Sequence, residues 1–125
     1  MAAVAMGRLG DGFAAGTRRV LVDRLWPRGV RKDAGLFDEW CPEVAPSTAL
    51  RRWYGHDPAR FEEFARRYRA ELEALDGHPT LVHLRALAEG GRLALLTASR
   101  DVARSQVPVL RAFLLAPLPG PEGKG

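Results

Sequence analysis

Cysteine is almost absent from this chain of 125 residues: Cys41 stands alone. A single thiol excludes an internal disulfide and any CxxC site, and it fits a reducing compartment. No apolar run approaches the ~20 residues that a membrane-spanning helix needs. The opening MAAVAMGRLGDG has no basic segment ahead of its apolar residues. It does not read as a signal peptide, so the expected location is the cytoplasm, with no membrane partner. Neither HExxH, GxxxxGK[ST] nor GxGxxG occurs, which removes the zincin, phosphate-loop and dinucleotide fingerprints. Internal repeats and Lys/Arg blocks are also missing, and lysine occurs only at Lys32 and Lys124.

What is present is arginine. The formal net charge is +4, and almost every cation is a guanidinium, the better fork for phosphate and carboxylate. The wealth of Ala, Gly, Arg and Pro also fits a GC-rich genome. The arginines alternate with Glu and Asp, which argues against a nucleic-acid-binding tail. With 46% hydrophobic residues, the chain can build one core. We expect a single α/β domain over residues 1–115, followed by a disordered Pro/Gly-rich tail, APLPGPEGKG, over 116–125.

The organising stretch is VLVDRLWPRG, Val20 to Gly29. Three apolar residues turn abruptly to Asp23-Arg24, and Pro27 and Gly29 then break the pattern. A buried strand ending this way delivers side chains to a ligand site in α/β proteins. Ala2 to Leu9 gives a weaker first strand, closed by the turn formers Gly10-Asp11-Gly12. Leu36 to Val44 is ambiguous: Leu36, Phe37 and Trp40 have the spacing of a short helical face, stopped by Pro42. Ser47 reads as a helix N-cap before TALRRWY, with Gly55 ending that helix. Asp57 caps the longest helix and Pro58 opens it. Phe61, Phe64, Tyr68, Leu72 and Leu75 form its inward stripe. A further helix spans Thr80 to Glu89. LALLT, Leu93 to Thr97, is continuous enough for a strand buried on both faces. Pro108 is tolerated if Ser105 caps the last helix, because it then falls in the first turn.

These elements predict a small three-layer α/β/α domain with a short, mainly parallel sheet. If the two apolar strands run parallel, Asp23, Arg24, Arg28, Arg100 and Asp101 gather at their C-terminal ends, where open sheets bind ligands.

DRLWPRG, then APSTALRRWYGHDPARFEEFARRYRAEL, then LALLTASRD together resemble the bacterial family called domain of unknown function 488, in its YeaO-like branch. The resemblance runs from about Val20 to Leu115. It implies a small α/β fold and no settled activity. Relatives usually carry a run like AKDEEHN before the last helix; here it reads SRDVARSQ, so the matching His is missing. The Ala-rich N-terminus also departs from the basic, strand-like opening of the family. Thr97 and Ala98 stand where other branches carry cysteines, so no thiol chemistry carries over.

Two functional readings stay open. In the first, the chain is an enzyme or binding protein for a phosphorylated or otherwise anionic small molecule. Arg24, Arg28 and Arg100 would hold the anion, and Asp23, His56 or Asp101 would move protons. His56 has the strongest claim among the histidines because it stands at a helix start, where anions are favoured. In the alternative, a non-catalytic nucleic-acid or nucleotide module would use the arginines with Trp26, Trp53 and Tyr54 for stacking. Asp23 and Asp101 beside the arginines favour a pocket over a bare polyanion surface. Equally, Asp23 could serve as the structural partner of Arg28 or Arg100. No metal site is expected, and the cofactor is left open.

Overall fold

The computed structural model describes residues 3–116; of the tail expected to be disordered, only Ala116 falls among them. Four strands, β1 (Val4–Arg8), β2 (Arg18–Leu21), β3 (Glu39–Trp40) and β4 (Leu93–Thr97), form one all-parallel sheet in the order β1-β4-β2-β3. The α/β class and the parallel sheet are as expected. All five residues of β4 are buried, which is why its sequence is an unbroken apolar run. β2 and β4 pair in register, Val20 with Leu95 and Leu21 with Leu96. The ladder continues one residue further through Val22, whose N–H donates to Leu96 O at 3.0 Å.

Helices α1 (Thr48–Tyr54), α2 (Phe61–Ala74), α3 (Pro79–Glu89) and α4 (Gln106–Leu115) follow. Local capping chemistry sets their starts. Ser47 Oγ accepts from Leu50 N–H, and Ser105 Oγ accepts from Val107 N–H, both at 3.1 Å. Pro108 is therefore the third residue of α4 and removes no intrahelical bond. Asp57 caps as expected, but it opens a 3-10 turn, Pro58–Arg60, and α2 begins only at Phe61. His78 Nδ1 accepts from Thr80 N–H and caps α3.

The core lies where Val20, Val22, Leu93 and Leu95 on one sheet face meet Leu50, Phe64, Tyr68, Leu72, Leu81, Leu84 and Leu110 of the helices. Each fully buried Leu or Val there contributes about 1.5–3 kcal/mol. Tyr68 adds a buried hydrogen bond, its hydroxyl donating to Val44 O at 2.5 Å. The opposite sheet face carries Gly7, Leu96 and Leu21, which share a register. Asp11 and Phe13 of the loop after β1 lie against it at Gly7. Gly7 leaves room there for two side chains, because a Cβ would come within 2.8 Å of Phe13 Cζ and Asp11 Oδ2 and push them aside. Trp26 packs edge-on against Phe37 and Trp40, with centroids 5.2 and 5.3 Å away.

The segment from Leu36 to Val44 corrects the helical expectation: it forms β3 and a 3-10 turn, Pro42–Val44. Asp38 N–H donates to Arg19 O and Cys41 N–H to Leu21 O, so pairing with β2 wins over the local periodicity. Phe37 and Trp40 share a neighbour in Trp26, not a helical face.

At the other margin, β1 is an edge strand. Leu9 N–H bonds inward to Thr97 O, so by strand alternation the amides and carbonyls of Val4, Met6 and Arg8 face outward. Arg8 N–H donates to Asp11 Oδ2, Arg8 O accepts from Asp11 N–H, and Val4 O accepts from Arg111 Nε at 2.8 Å. Among the described residues, no helix is long and apolar enough to cross a membrane.

Candidate functional site

The parallel pairing of β2 and β4 brings their C-terminal ends side by side, and a cavity of about 380 Å³ opens there. That volume lies within the range of small-molecule sites. Its polar floor consists of Asp23, Thr97, Ser99, Ser105 and Gln106; Trp26, Tyr54 and Phe64 form apolar walls. Arg28, Arg51 and His56 line it as exposed side chains.

Asp23 follows β2 and is the most heavily bonded group of the floor. Oδ1 accepts from Thr97 Oγ1 and Gln106 Nε2, both at 2.7 Å, and Oδ2 accepts from Ala98 N–H at 2.8 Å. Its own carbonyl accepts from Trp40 Nε1 at 2.8 Å. No arginine takes part, so the expected pairing of Asp23 with Arg28 or Arg100 is replaced by neutral donors. Thr97 Oγ1 also accepts from Ser99 N–H, fixing the turn after β4.

The other expected residues divide. Arg28 sits in the loop that Trp26 Nε1 closes by donating to Val30 O at 2.7 Å. His56 follows the α1 C-cap Gly55 and has a backbone φ of 56°. This left-handed conformation is strained for a non-glycine residue. Arg24 turns away from the cavity: Nε donates to Pro46 O and Nη2 to Ala45 O, which ties the end of β2 to the approach of α1. Arg100 is exposed and Asp101 half-exposed, and neither lines the cavity. Asp101 caps the 3-10 turn Val102–Arg104 and pairs with Arg104 Nη1 at 3.2 Å.

Arg51, Ser105 and Gln106 escape the sequence reading as site residues. Arg51 lies on the α1 surface, and its type and spacing match any solvated helix face. Gln106 follows the Ser105 cap, so its place at the start of α4 was readable, but not its reach to Asp23. Among the described residues, no carboxylate comes within ion-pair distance of Arg28 or Arg51. No group of three metal-ligating side chains converges among them either.

The remaining reactive side chains are occupied elsewhere. Burial pushes the Cys41 thiol up to about 12, with the charges of Glu39 and Glu43 adding to the effect. At neutral pH it is a buried hydrophobe and not a nucleophile. Burial raises the pKa of Tyr54 too, and Asp101 raises it further; the Tyr54 hydroxyl donates to Arg104 O at 2.6 Å. His83 faces Glu39 at 3.0 Å, outside the cavity.

The sequence profile described as "Inactive DUF488-N3 subclade" matches residues 9–123. The uncharacterised protein Rv3073c of Mycobacterium tuberculosis is 48% identical over 97 residues, spanning 78% of this chain and 80% of that protein. The uncharacterised protein YeaO of Escherichia coli is 34% identical over 96 residues, 77% of this chain and 82% of its own. No solved structure matches significantly. From the profile and these two relatives, the chain belongs to the bacterial DUF488 family, within its DUF488-N3 branch.

Proposed function

We propose that this chain is a binding protein for a small anionic molecule, held in the cavity at the C-terminal edge of the sheet. The observation that carries the reading is the pair of arginines, Arg28 and Arg51, which line the cavity without a carboxylate partner among the described residues. A guanidinium used structurally is normally paired, and one left free beside a concave surface suits an incoming phosphate or carboxylate. His56 would add a third donor at the mouth. Asp23 would shape the floor, its carboxylate anchored there by three neutral donors.

Binding without catalysis is supported by three things. The branch profile carries the word "inactive" in its description. The buried Cys41 thiol is protonated at neutral pH. Asp101 is engaged as a turn cap. A nucleic-acid surface is less well supported, because Glu63 engages Arg66 and Arg67 on α2 and Asp57 engages Arg60 just ahead of it, which breaks up a basic face there.

The test is a thermal-shift and calorimetric screen of sugar phosphates, nucleotides and organic acids against the wild type and the Arg28→Ala/Arg51→Ala double variant. A ligand at a hundred times its Kd would stabilise the wild type by about 2.7 kcal/mol, a rise of several degrees in Tm. The double variant should lose that rise. A screen in which no anion stabilises the wild type, or in which the double variant responds equally, would overturn the proposal.

A further inference from the structure

Gln106 carries information about the ligand beyond its charge. Its Nε2 donates to two acceptors, Val22 O at 3.0 Å and Asp23 Oδ1 at 2.7 Å. A backbone carbonyl can only accept, so Val22 O fixes which end of the amide is nitrogen. The other end of the amide is therefore the carbonyl, Oε1. No donor among the described residues reaches Oε1, and it is not among the side-chain oxygens sealed from solvent without a partner, so it stays accessible. Gln106 lines the cavity, and its neighbour in that floor, Ser99, has a hydroxyl likewise free of protein partners among the described residues.

An amide pinned at its nitrogen by two bonds cannot flip without losing both and turning its own oxygen against the Val22 carbonyl and the Asp23 carboxylate, at a cost well above thermal energy. Its oxygen is thus a held, accessible acceptor on a residue that lines the cavity, and the complement of a held acceptor is a hydroxyl or N–H donor. The mouth of the same cavity offers the opposite polarity, cationic donors on Arg28, Arg51 and His56.

We infer that Gln106 is a specificity-determining residue and that the ligand is bipartite: an anionic group at the mouth joined to a hydroxyl- or amine-bearing portion that donates to Gln106 Oε1 on the floor. This rests on the anion-binding reading above and narrows it from any anion to polyhydroxylated or amino-bearing phosphates and carboxylates. Simple alkyl phosphates fill the mouth and leave the acceptor on the floor unpaired, so they bind more weakly.

The experiment compares two probes of similar length, ribose 5-phosphate and n-pentyl phosphate, by isothermal titration calorimetry on the wild-type protein. Ribose 5-phosphate should bind about tenfold tighter or better, the worth of one well-made hydrogen bond. In Gln106→Met, with folding checked by thermal unfolding, the ratio should fall toward one through loss of ribose 5-phosphate affinity alone. Equal affinities in the wild type, or an unchanged ratio in Gln106→Met, would sink the role of Gln106 and leave the anion pocket standing. Binding of neither probe sinks the bipartite ligand, and the anion reading is then decided by the broader screen above. If Gln106→Met does not fold, Gln106→Asn withdraws the oxygen while keeping an amide, and the same collapse of the ratio is required.

Discussion

The two ends of the sheet treat charge in opposite ways. At the N-terminal ends of β2 and β3, charges are matched with one another. Arg18 pairs with Glu39 at 2.6 Å, Arg19 pairs with Asp38 at 3.1 Å, and His83 joins Glu39. At the C-terminal ends, Asp23 is held by neutral donors while Arg28 and Arg51 have no ion-pair partner among the described residues. The first arrangement spends each charge on the fold. The second leaves the cations free around a cavity and keeps the anion bound into the scaffold. The contrast separates structural from available charge, which counting arginines cannot do.

Four substitutions break or sharpen it, in order of expected effect. Asp23→Ala removes the acceptor of three donors at once, and urea denaturation should show a loss of about 2–3 kcal/mol. A loss below about 1 kcal/mol would mean that the C-terminal carboxylate is no more integrated than a surface one. Asp38→Asn, at the other end, should cost about 1 kcal/mol, because its pair with Arg19 is partly screened.

That cost is pH-dependent. Hydrogen bonds from Arg19 hold the Asp38 carboxyl below its ordinary value. For Glu39, burial pushes upward, but the hydrogen bonds from Arg18 and His83 outweigh it and the net shift is down. A depressed folded pKa stabilises above the unfolded value and is lost as pH falls through the folded one. The wild type should thus lose this contribution on acidification below about pH 4, and Asp38→Asn should lose less over the same window. Parallel stability–pH curves for the two proteins would remove Asp38 from the account.

His56→Gly should be stabilising by roughly 0.5 kcal/mol, since glycine adopts the positive φ without strain, a gain partly offset by its freer unfolded chain. The same change should weaken anion binding. Destabilisation would show that the His56 ring supports the fold instead of serving the cavity. Arg28→Ala should leave the midpoint of unfolding within about 0.5 kcal/mol of wild type, as expected of an exposed residue without protein partners. A larger loss would place Arg28 among the structural charges and erase the contrast.

The same division explains what could be read from residue order. β2, β4 and the caps at Ser47 and Ser105 were legible because apolar runs and capping act within a few residues. β3 was not: two residues carry no period, and Glu39–Trp40 is a strand only because β2 lies beside it. Asp23 was legible as a strand-end carboxylate, but its partners Thr97, Ala98 and Gln106 are 74, 75 and 83 residues away. Arg24 and Arg28 look alike in the sequence. The carbonyls of Ala45 and Pro46 take one of them out of the cavity, and only tertiary structure places those carbonyls. Arg51 reached the cavity through the position of α1, which no local pattern encodes.

The outer margin of β1 has a consequence of its own. Of its outward-facing groups, the Arg8 amide and carbonyl are taken by Asp11, and the Val4 carbonyl by Arg111. A stranger's strand laid alongside would find its hydrogen-bonding positions filled at both ends and would have to expel an aspartate and an arginine to zip up. At the far margin, β3 offers only two residues to grip. Both margins of the sheet are thereby poor templates for growth, a safeguard against fibre formation built from three side-chain and turn contacts and one very short strand.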